Sequence, residues 1–484
     1  MATVSWQLMI ELWQRWGPWL SDAATGLAWL SLPSVVVHRR GRPVAAISWM
    51  LALLSLPVLG LVLWWLLGRR HLMRRRRNRY NKHLHVSARL AGLRERLPPP
   101  SSTPQLLPLT VLPDELTQGV FCSTSGNAVT LLANGASAFA VMEADIAAAE
   151  HHIHVLFYIW RNDETGRHFR DLLVTKAQQG VEVRVICDAV GAPLLARRFF
   201  RPLRNAGARV MHFNPPQLFS ASPRLNFRNH RKIVVVDDRI GIIGGFNIAD
   251  EYKKKWRDMG VRIDGPAVDQ LQEIFADDWY YCCEEDLASQ PYFGNWQQHH
   301  HDVASCAAVA SGPDSHYNAI HDALFIAINQ CHRRLCITTP YFIPTQAIVA
   351  AIRAAVYRGV DVRILLPSQN DVPLVRYAAR AYYPELLAVG VRIFEYLPEM
   401  IHAKVMVFDD DLVLIGSANL DNRSFKLNFE ASCFVGGQRF NHDVASQFDD
   451  DLTRSQEVTQ SDLDALSPLA KLRDATAQLL SPLL

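Results

Sequence analysis

Hydrophobic residues follow two different patterns along this chain of 484 residues. The first is a long apolar run near the N-terminus, where the 24 residues from Val44 to Leu67 carry no charge. As a helix this run would measure roughly 36 Å, which exceeds the thickness of a hydrocarbon core of about 30 Å. The run therefore predicts a transmembrane helix, in which Pro57 and Gly60 are tolerable.

A second apolar segment, residues 17–37, precedes this run and is interrupted by Asp22. Three structures fit such a segment: a first membrane span, a re-entrant segment and an interfacial helix. We favour the span, so that residues 1–80 together form a multi-pass anchor with a basic flank.

Positive charge is unevenly distributed about the long apolar run. Residues 69–82 contain more arginine and lysine than residues 39–42 on the other side. Because an excess of positive charge marks the cytoplasmic side of a span, the pattern predicts an anchor in the inner (cytoplasmic) membrane with the rest of the chain in the cytoplasm.

The second pattern is a duplication beyond a proline- and serine-containing linker at residues 81–117. Val155–Trp160 corresponds to Leu335–Tyr341, and Gly180–Ile186 matches Gly359–Leu365. Short β-branched stretches that alternate with alanine- and leucine-rich helical segments predict βαβ units and a parallel or mixed sheet. The predicted fold class is α/β, with two repeats and a C-terminal tail at residues 118–290, 291–455 and 456–484.

Charge and cysteine content narrow the function. Residues 1–100 contain 15 Lys or Arg and three Asp or Glu, a net +12, so the other 384 residues carry 3 − 12 = −9. An acidic catalytic bulk is poorly suited to a nucleic-acid backbone, whereas the basic N-terminal segment favours anionic lipid. The eight cysteines lack the paired spacing of a zinc site, and the runs His299–His301 and Asp449–Asp451 are interpreted as solvated. The sequence thus predicts no metal site.

The candidate chemistry lies in a motif, HxKxxxxD, that occurs once in each half. Its residues are His230, Lys232 and Asp237 in the first half and His402, Lys404 and Asp409 in the second. Histidine and lysine two positions apart on a strand project from the same face, so each half offers an imidazole beside an ammonium group. The aspartates have an odd offset from the histidines, which favours a structural or supporting role.

Matched positions extend beyond this motif. An asparagine follows each histidine by 17 residues and a carboxylate follows it by 28, namely Asn247 and Asp258 in the first half and Asn419 and Glu430 in the second. The carboxylates are candidates to orient the imidazole rings, and the asparagines and lysines to stabilise charge on phosphoryl oxygens. A turn of small residues, at Gly245 and Ser417, would let a phosphate approach the backbone.

Two such faces around one phosphodiester predict catalysis that needs neither a metal nor another cofactor. One neutral imidazole attacks phosphorus, and the other, as imidazolium, protonates the leaving alkoxide and later deprotonates the incoming alcohol. Because the two motifs are nearly equivalent, the residues leave open which histidine attacks.

These residues resemble the duplicated HKD motifs of the phospholipase D superfamily over roughly residues 118–455. The stretches Thr339–Pro344, Gly416–Ser424 and Trp256–Asp258 are similar in particular to bacterial cardiolipin synthases. The resemblance implies condensation of two phosphatidylglycerol molecules into cardiolipin and glycerol through a covalent phosphatidyl-histidine. Phospholipids and the membrane are then the expected partners.

The same resemblance bears on individual residues. It implies that all six motif residues, Asp237 and Asp409 included, belong to the catalytic set. Superfamily analogy also favours His230 as the nucleophile.

Three other functions share parts of this pattern. A membrane-bound phospholipase D would use the same residues with water as the acceptor and would release phosphatidic acid. A nuclease of the superfamily is disfavoured by the acidic bulk and the apolar N-terminus. A non-catalytic scaffold would be expected to lack a motif residue, and both motifs are intact.

Overall fold

The computed structural model describes residues 22–40, 43–65, 119–192, 196–214, 227–288 and 292–481, with Arg15 and Trp19 and without positions 295, 298, 300, 302 and 316. The predicted linker and most of the basic flank lie outside these residues. The described residues fall into a small unit within residues 1–78 and a large unit that contains both repeats.

The apolar sequence of the small unit forms several short helices. Helical residues 22–30 lead into α1 (Leu32–His38), which is followed by α2 (Pro43–Ser55) and α3 (Pro57–Leu63). The helix breaks before Pro57, because proline lacks an N–H group and its ring disfavours helical geometry in the preceding residue. The described parts of the predicted spans 17–37 and 44–67 are therefore shorter helices, and the two-span anchor stays a prediction. None of the helices described is both long and apolar enough to cross a membrane.

The large unit contains one continuous mixed sheet to which both halves contribute. The first half provides β1 (Thr124–Leu132), β2 (His152–Phe157), β3 (Glu182–Asp188), β4 (Arg209–Phe213), β5 (Arg228–Asn229), β6 (Ile233–Val236), β7 (Ile240–Gly244) and β8 (Gly260–Asp264). The second half provides β9 (Ala304–Ser311), β10 (Arg334–Thr338), β11 (Asp361–Pro367), β12 (Arg392–Tyr396), β13 (Val405–Phe408), β14 (Leu412–Gly416), β15 (Asn428–Gly436) and β16 (Ser455–Val458).

Helices cover this sheet on both faces. Those of the first half are α4 (Gly135–Ala148), α5 (Glu164–Gln178), α6 (Ala196–Phe199), α7 (Arg201–Asn205), α8 (Asp250–Lys254) and α9 (Val268–Cys283). Those of the second half are α10 (Ala319–Gln330), α11 (Gln346–Tyr357), α12 (Pro373–Arg380), α13 (Tyr383–Ala388), α14 (Asn422–Lys426), α15 (Gln438–Thr453), α16 (Gln460–Asp464) and α17 (Pro468–Leu479).

The strand order shows the duplication directly. It reads β16-β12-β11-β10-β13-β14-β15-β9-β1-β8-β7-β6-β2-β3-β4, so the two halves mirror each other about the β9–β1 pair. Strands β2 and β3 are parallel with Ile153 opposite Val183, and β10 and β11 are parallel with Leu335 opposite Val362. The prediction of two α/β repeats is confirmed, while the exact domain boundaries stay predictions.

Three hydrophobic cores are present among the described residues of the large unit. Each half has an outer core between its sheet and its own helices. A third core is shared, because α9 of the first half and α15 of the second pack on the same side of the joined sheet. The predicted C-terminal tail belongs to this architecture: β16 pairs antiparallel with β12, and Leu463 and Ala477 are buried in the second outer core.

Candidate active site

Both motif histidines contact a carboxylate from the other half. His230 Nδ1 lies 3.0 and 3.1 Å from the two carboxylate oxygens of Glu430. His402 Nδ1 lies 2.6 Å from Asp258 Oδ2. The equal spacing along the sequence identified the four residues but did not reveal that the pairs are crossed between the halves.

Backbone contacts between the halves explain the crossing. The N–H of His230 donates to Phe429 O at 2.8 Å, where β5 pairs with the start of β15. In the same way, the N–H of His402 donates to Arg257 O at 2.7 Å, beside an isolated bridge between Arg257 and Ile401. Each histidine is thereby placed next to the residue that precedes its partner carboxylate.

The two lysines are buried beside the histidines of their own motifs. Lys232 Nζ donates to His230 O at 2.6 Å. Lys404 Nζ donates to His402 O and lies 3.0 Å from the Nε2 atom of that ring. Burial lowers the pKa of Lys404 to about 8 and that of Lys232 well below its ordinary value. The structure thus places each imidazole beside the lysine of its own motif, as the motif spacing predicted.

Burial keeps both imidazoles neutral at neutral pH. It lowers the pKa of His230 to about 4, with Lys232 acting in the same direction and Glu430 opposing it. Burial, and then Lys404, lower the pKa of His402 well below its ordinary value. A neutral imidazole is the form that can attack phosphorus, so this state suits a nucleophile.

The two carboxylates differ in how firmly they are ionised. Burial pushes the pKa of Glu430 upwards, but His230 and Lys232 outweigh it, so this pKa lies below its ordinary value. Burial raises the pKa of Asp258 to about 6 despite Lys404. Glu430 therefore remains an anion over a wider pH range than Asp258.

The small residues of the predicted turn have a structural role. A Cβ on Gly245 would lie 2.1 Å from Asp258 Oδ1, and a Cβ on Gly244 would lie 2.6 Å from the Cα of Gly260 on the next strand. At the matching position of the second half, Ser417 Oγ donates to Glu430 Oε2 at 2.5 Å. The small residues thus leave room for the neighbouring carboxylates and strand, and the approach of a phosphate to this turn stays a prediction.

The aspartates of the two motifs organise the backbone. The Asp237 carboxylate accepts the N–H groups of residues 150–152 at 2.8 Å. The Asp409 carboxylate accepts those of residues 332–334 at 2.6–3.1 Å. Each aspartate thus connects the turn after the motif strand to the start of the neighbouring antiparallel strand. No bond joins either carboxylate to a motif histidine or lysine in the described parts of the chain.

The paired asparagines present opposite groups. Asn247 Oδ1 accepts the N–H of Ile159 at 3.0 Å, and its buried Nδ2 faces the Tyr252 hydroxyl without a hydrogen bond of ordinary geometry to a described residue. Asn419 Nδ2 donates to Asp421 Oδ2 at 3.2 Å, and here the buried Oδ1 is the atom without such a bond. The first half therefore offers a donor and the second an acceptor.

Three aromatic residues that sequence reasoning missed pack against the histidines. The Tyr158 ring centroid is 5.0 Å from that of His230, while Tyr252 and Trp256 lie 5.3 and 5.2 Å from His402. One signal was available in the sequence, because Tyr158 directly follows a buried strand where ligand sites of parallel sheets commonly lie.

Two buried ion pairs beside the histidines were also missed. Arg231 donates to Asp278 at 2.7 Å, and Arg257 donates to Asp451 at 3.0 Å. Asp451 is completely buried, which corrects the interpretation of Asp449–Asp451 as a solvated run. These arginines adjoin His230 and Asp258 in sequence and hold both segments against the shared core.

Known proteins resemble the chain over most of its length. Residues 142–279 and 324–452 match the family described as "Cardiolipin synthase, PLD-like domain". A "Cardiolipin synthase" of Geobacillus kaustophilus (strain HTA426) is 36% identical over 462 residues, which cover 93% of this chain and 91% of the relative. "Cardiolipin synthase 1" of Bacillus cereus (strain ATCC 14579) is 34% identical over 472 residues, with the same coverage.

A solved structure supports the fold. The phosphatidylserine synthase of Haemophilus influenzae Rd KW20 matches with a TM-score of 0.54 and 16% identity, over 74% of this chain and 95% of that one. At this identity the likeness concerns the fold alone. Together with the near full-length relatives, the crossed site of two matched halves identifies this chain as a member of the cardiolipin synthase family with phospholipase D-like domains.

Proposed function

We propose that this protein is a phosphatidyltransferase that converts two phosphatidylglycerol molecules into cardiolipin and glycerol. The observation that carries the proposal is the state of His230. Its Nδ1 is held by Glu430, while its Nε2 makes no hydrogen bond with a described residue. A neutral ring oriented in this way is prepared for in-line attack.

In the first step His230 Nε2 attacks the phosphorus of one phosphatidylglycerol. A P–N bond forms, and the P–O bond to the glycerol head group breaks. His402, which takes up a proton from solvent when the phosphodiester binds, gives that proton to the leaving oxygen. The anionic phosphodiester raises the proton affinity of this imidazole, because a nearby negative charge favours the imidazolium.

In the second step His402 Nε2 removes a proton from a hydroxyl of the second phosphatidylglycerol. That oxygen attacks phosphorus, the P–N bond breaks, and His230 returns to its starting form. Lys232, Lys404 and the Nδ2 group of Asn247 would stabilise charge on the phosphoryl oxygens. In this proposal Asp237 and Asp409 take part only by holding the backbone.

The small N-terminal unit would hold the enzyme at the membrane. Many of its large apolar side chains are exposed, among them Trp29, Leu30, Val44 and Leu51. Exposed apolar surface of this extent marks a site of contact with lipid or protein. Lipid is favoured by the basic residues 69–82, which would face anionic head groups on the cytoplasmic side.

The test uses the purified full-length protein in mixed micelles that contain phosphatidylglycerol labelled in its head group and its acyl chains. We expect labelled cardiolipin and free glycerol in equal amounts, and neither product from His230→Ala or His402→Ala. His442→Ala, at an exposed helical position, is the matched control. Phosphatidic acid as the only lipid product would establish a hydrolase instead, and activity in both variants would refute the site.

A further inference from the structure

A tyrosine–aspartate pair beside the site has no part in the chemistry above. Tyr341 follows β10, Asp371 follows β11, and the Tyr341 hydroxyl donates to both Asp371 carboxylate oxygens at 2.9 and 3.0 Å. Asn370 Nδ2 also donates to Pro340 O at 2.8 Å, so the two loops are bonded to each other twice. Both loops leave the same end of parallel strands, which is where α/β sheets bind ligands.

Backbone contacts connect this pair to the second motif. Phe342 forms a parallel bridge with Leu420, and the N–H of Ile343 donates to Leu420 O at 2.8 Å. Tyr341 and Asn419 precede the two bridged residues, so they are neighbours on adjacent segments.

The pair also lies on the His402 side of the site. The negative charge of Asp371 acts on Tyr252, whose ring packs against His402. The same charge is among those that oppose the lowered pKa of Lys404, the lysine in contact with the His402 ring.

A second acceptor adjoins Tyr341. Asn419 is 4% exposed, and its Oδ1 has no hydrogen-bond partner among the described residues. Asp421 sets the orientation of this amide, because its carboxylate accepts hydrogen bonds and therefore faces the Nδ2 group. The same carboxylate accepts the N–H of Ser424 at 2.6 Å. Tyr341 thus has two hydrogen-bond acceptors beside it, the Asn419 carbonyl oxygen and the Asp371 carboxylate.

We propose that Asp371 and Asn419 bind the hydroxyl groups of the glycerol head group, both as it leaves and when the second lipid brings its own. This inference rests on the proposed function, in which His402 exchanges protons with that alcohol. A hydroxyl always has a proton to donate, so acceptors placed beside His402 would orient the glycerol. A carboxylate would also repel the phosphate, which stays on the lysines. Tyr341 is then a positioning residue for Asp371.

The experiment measures Asp371→Asn with two donor lipids that differ in the leaving group. Phosphatidylglycerol has hydroxyls to bind, whereas phosphatidyl-p-nitrophenol has none and leaves without protonation. We expect kcat/KM for phosphatidylglycerol to fall by about tenfold or more, because a site built to bind a hydroxyl loses that much with the bond. Release of p-nitrophenol should stay close to that of the unaltered protein.

Two further variants sharpen the result. Tyr341→Phe should also lower kcat/KM for phosphatidylglycerol relative to that for phosphatidyl-p-nitrophenol, but by less. Asp371 is still present in this variant and loses only the hydrogen bonds from the Tyr341 hydroxyl. Asp443→Asn, an exposed aspartate on α15, is the matched control and should leave both donors unchanged.

Three outcomes would overturn the inference. Equal loss with both donors would mean that Asp371 acts on the whole site. No loss with phosphatidylglycerol would mean that it binds no hydroxyl. With phosphatidylethanolamine as a third donor, a loss of activity for this lipid alone would mean that Asp371 binds an ammonium group. Failure of the proposed function would be recognised separately, because the unaltered protein would then form phosphatidic acid in place of cardiolipin. The kcat/KM values for the two donor lipids can still be compared in that case.

Discussion

In the first half Asp258 reaches His402 through space that Gly245 leaves open, whereas in the second half Glu430 is one methylene longer and takes a hydrogen bond from Ser417. The carboxylate with the hydroxyl partner is firmly ionised, and the other has its pKa raised to about 6. Duplication has thus produced one site with two unequal histidine–carboxylate pairs. The difference supports a nucleophile at His230 and a proton-transfer group at His402.

The largest expected effect separates these two roles. With phosphatidylglycerol, His230→Ala and His402→Ala should each lose at least about 10³-fold in kcat. With phosphatidyl-p-nitrophenol, His402→Ala should still release one equivalent of p-nitrophenol and carry the labelled phosphatidyl group, because this leaving group needs no proton. His230→Ala should carry no label. Quenching in a neutral denaturant, which preserves the acid-labile P–N bond, followed by counting of the protein-bound label measures this. The reverse pattern would exchange the roles.

The next prediction compares the residues that hold the two carboxylates, Gly245 beside Asp258 and Ser417 beside Glu430. Gly245→Ala should lower kcat by about 10²-fold, because the added Cβ would displace the Asp258 carboxylate and with it the His402 ring. Ser417→Ala removes one of the bonds to Glu430, which keeps those from His230 and Asn428, so a loss of about tenfold or less is expected. Initial rates of cardiolipin formation measure both. Equal losses would show that the halves are interchangeable.

The unequal carboxylates also predict the pH profile of kcat/KM. Asp258, with its pKa raised to about 6, becomes protonated below that pH and no longer orients His402, so activity should fall. Lys404, with its pKa lowered to about 8, loses its charge above that pH, and activity should fall again. A plateau between about pH 6 and 8 is expected. Asp258→Asn should abolish the acidic limb, and a limb that persists in this variant would assign it to another group.

The smallest effect on catalysis is expected for Asp237 and Asp409, which bind the backbone in the same way in both halves. Asp237→Ala and Asp409→Ala should each lower the free energy of unfolding by about 1–3 kcal/mol, since several backbone N–H groups lose their acceptor. Urea unfolding at neutral pH measures this loss. The kcat of the folded variants should stay near that of the unaltered protein. A large fall in kcat without a change in unfolding would return both aspartates to the catalytic set.

Local patterns in the sequence predicted the repeat and the identity of the paired residues. The strands Ile233–Val236 and Val405–Phe408 are runs of β-branched and aromatic residues, and the motif spacing is the same in both halves. The crossed pairing could not be predicted, because it joins residues 144 and 200 positions apart through bridges such as Arg257–Ile401. Such contacts depend on how the two halves pack.

The burial of Asp451 and the helix break before Pro57 could both have been predicted from the sequence. Phe440, Val444, Phe448 and Asp451 are spaced by three or four residues and are all buried on one face of α15. Helical spacing therefore distinguishes Asp451 from the exposed aspartates before it. The break before Pro57 was likewise foreseeable from the proline, whereas the contact between Gly245 and Asp258 depends on two strands meeting.

The exchange of carboxylates between the halves has a consequence for how the protein is made. The first half leaves the ribosome with His230 and Lys232 but without Glu430, and the second lacks Asp258 until it docks. Domains of a nascent chain generally fold in order of synthesis. A chain that ends before His402 therefore has no complete histidine–carboxylate pair, and we expect such incomplete translation products to be inactive on the lipids of the cell that makes them.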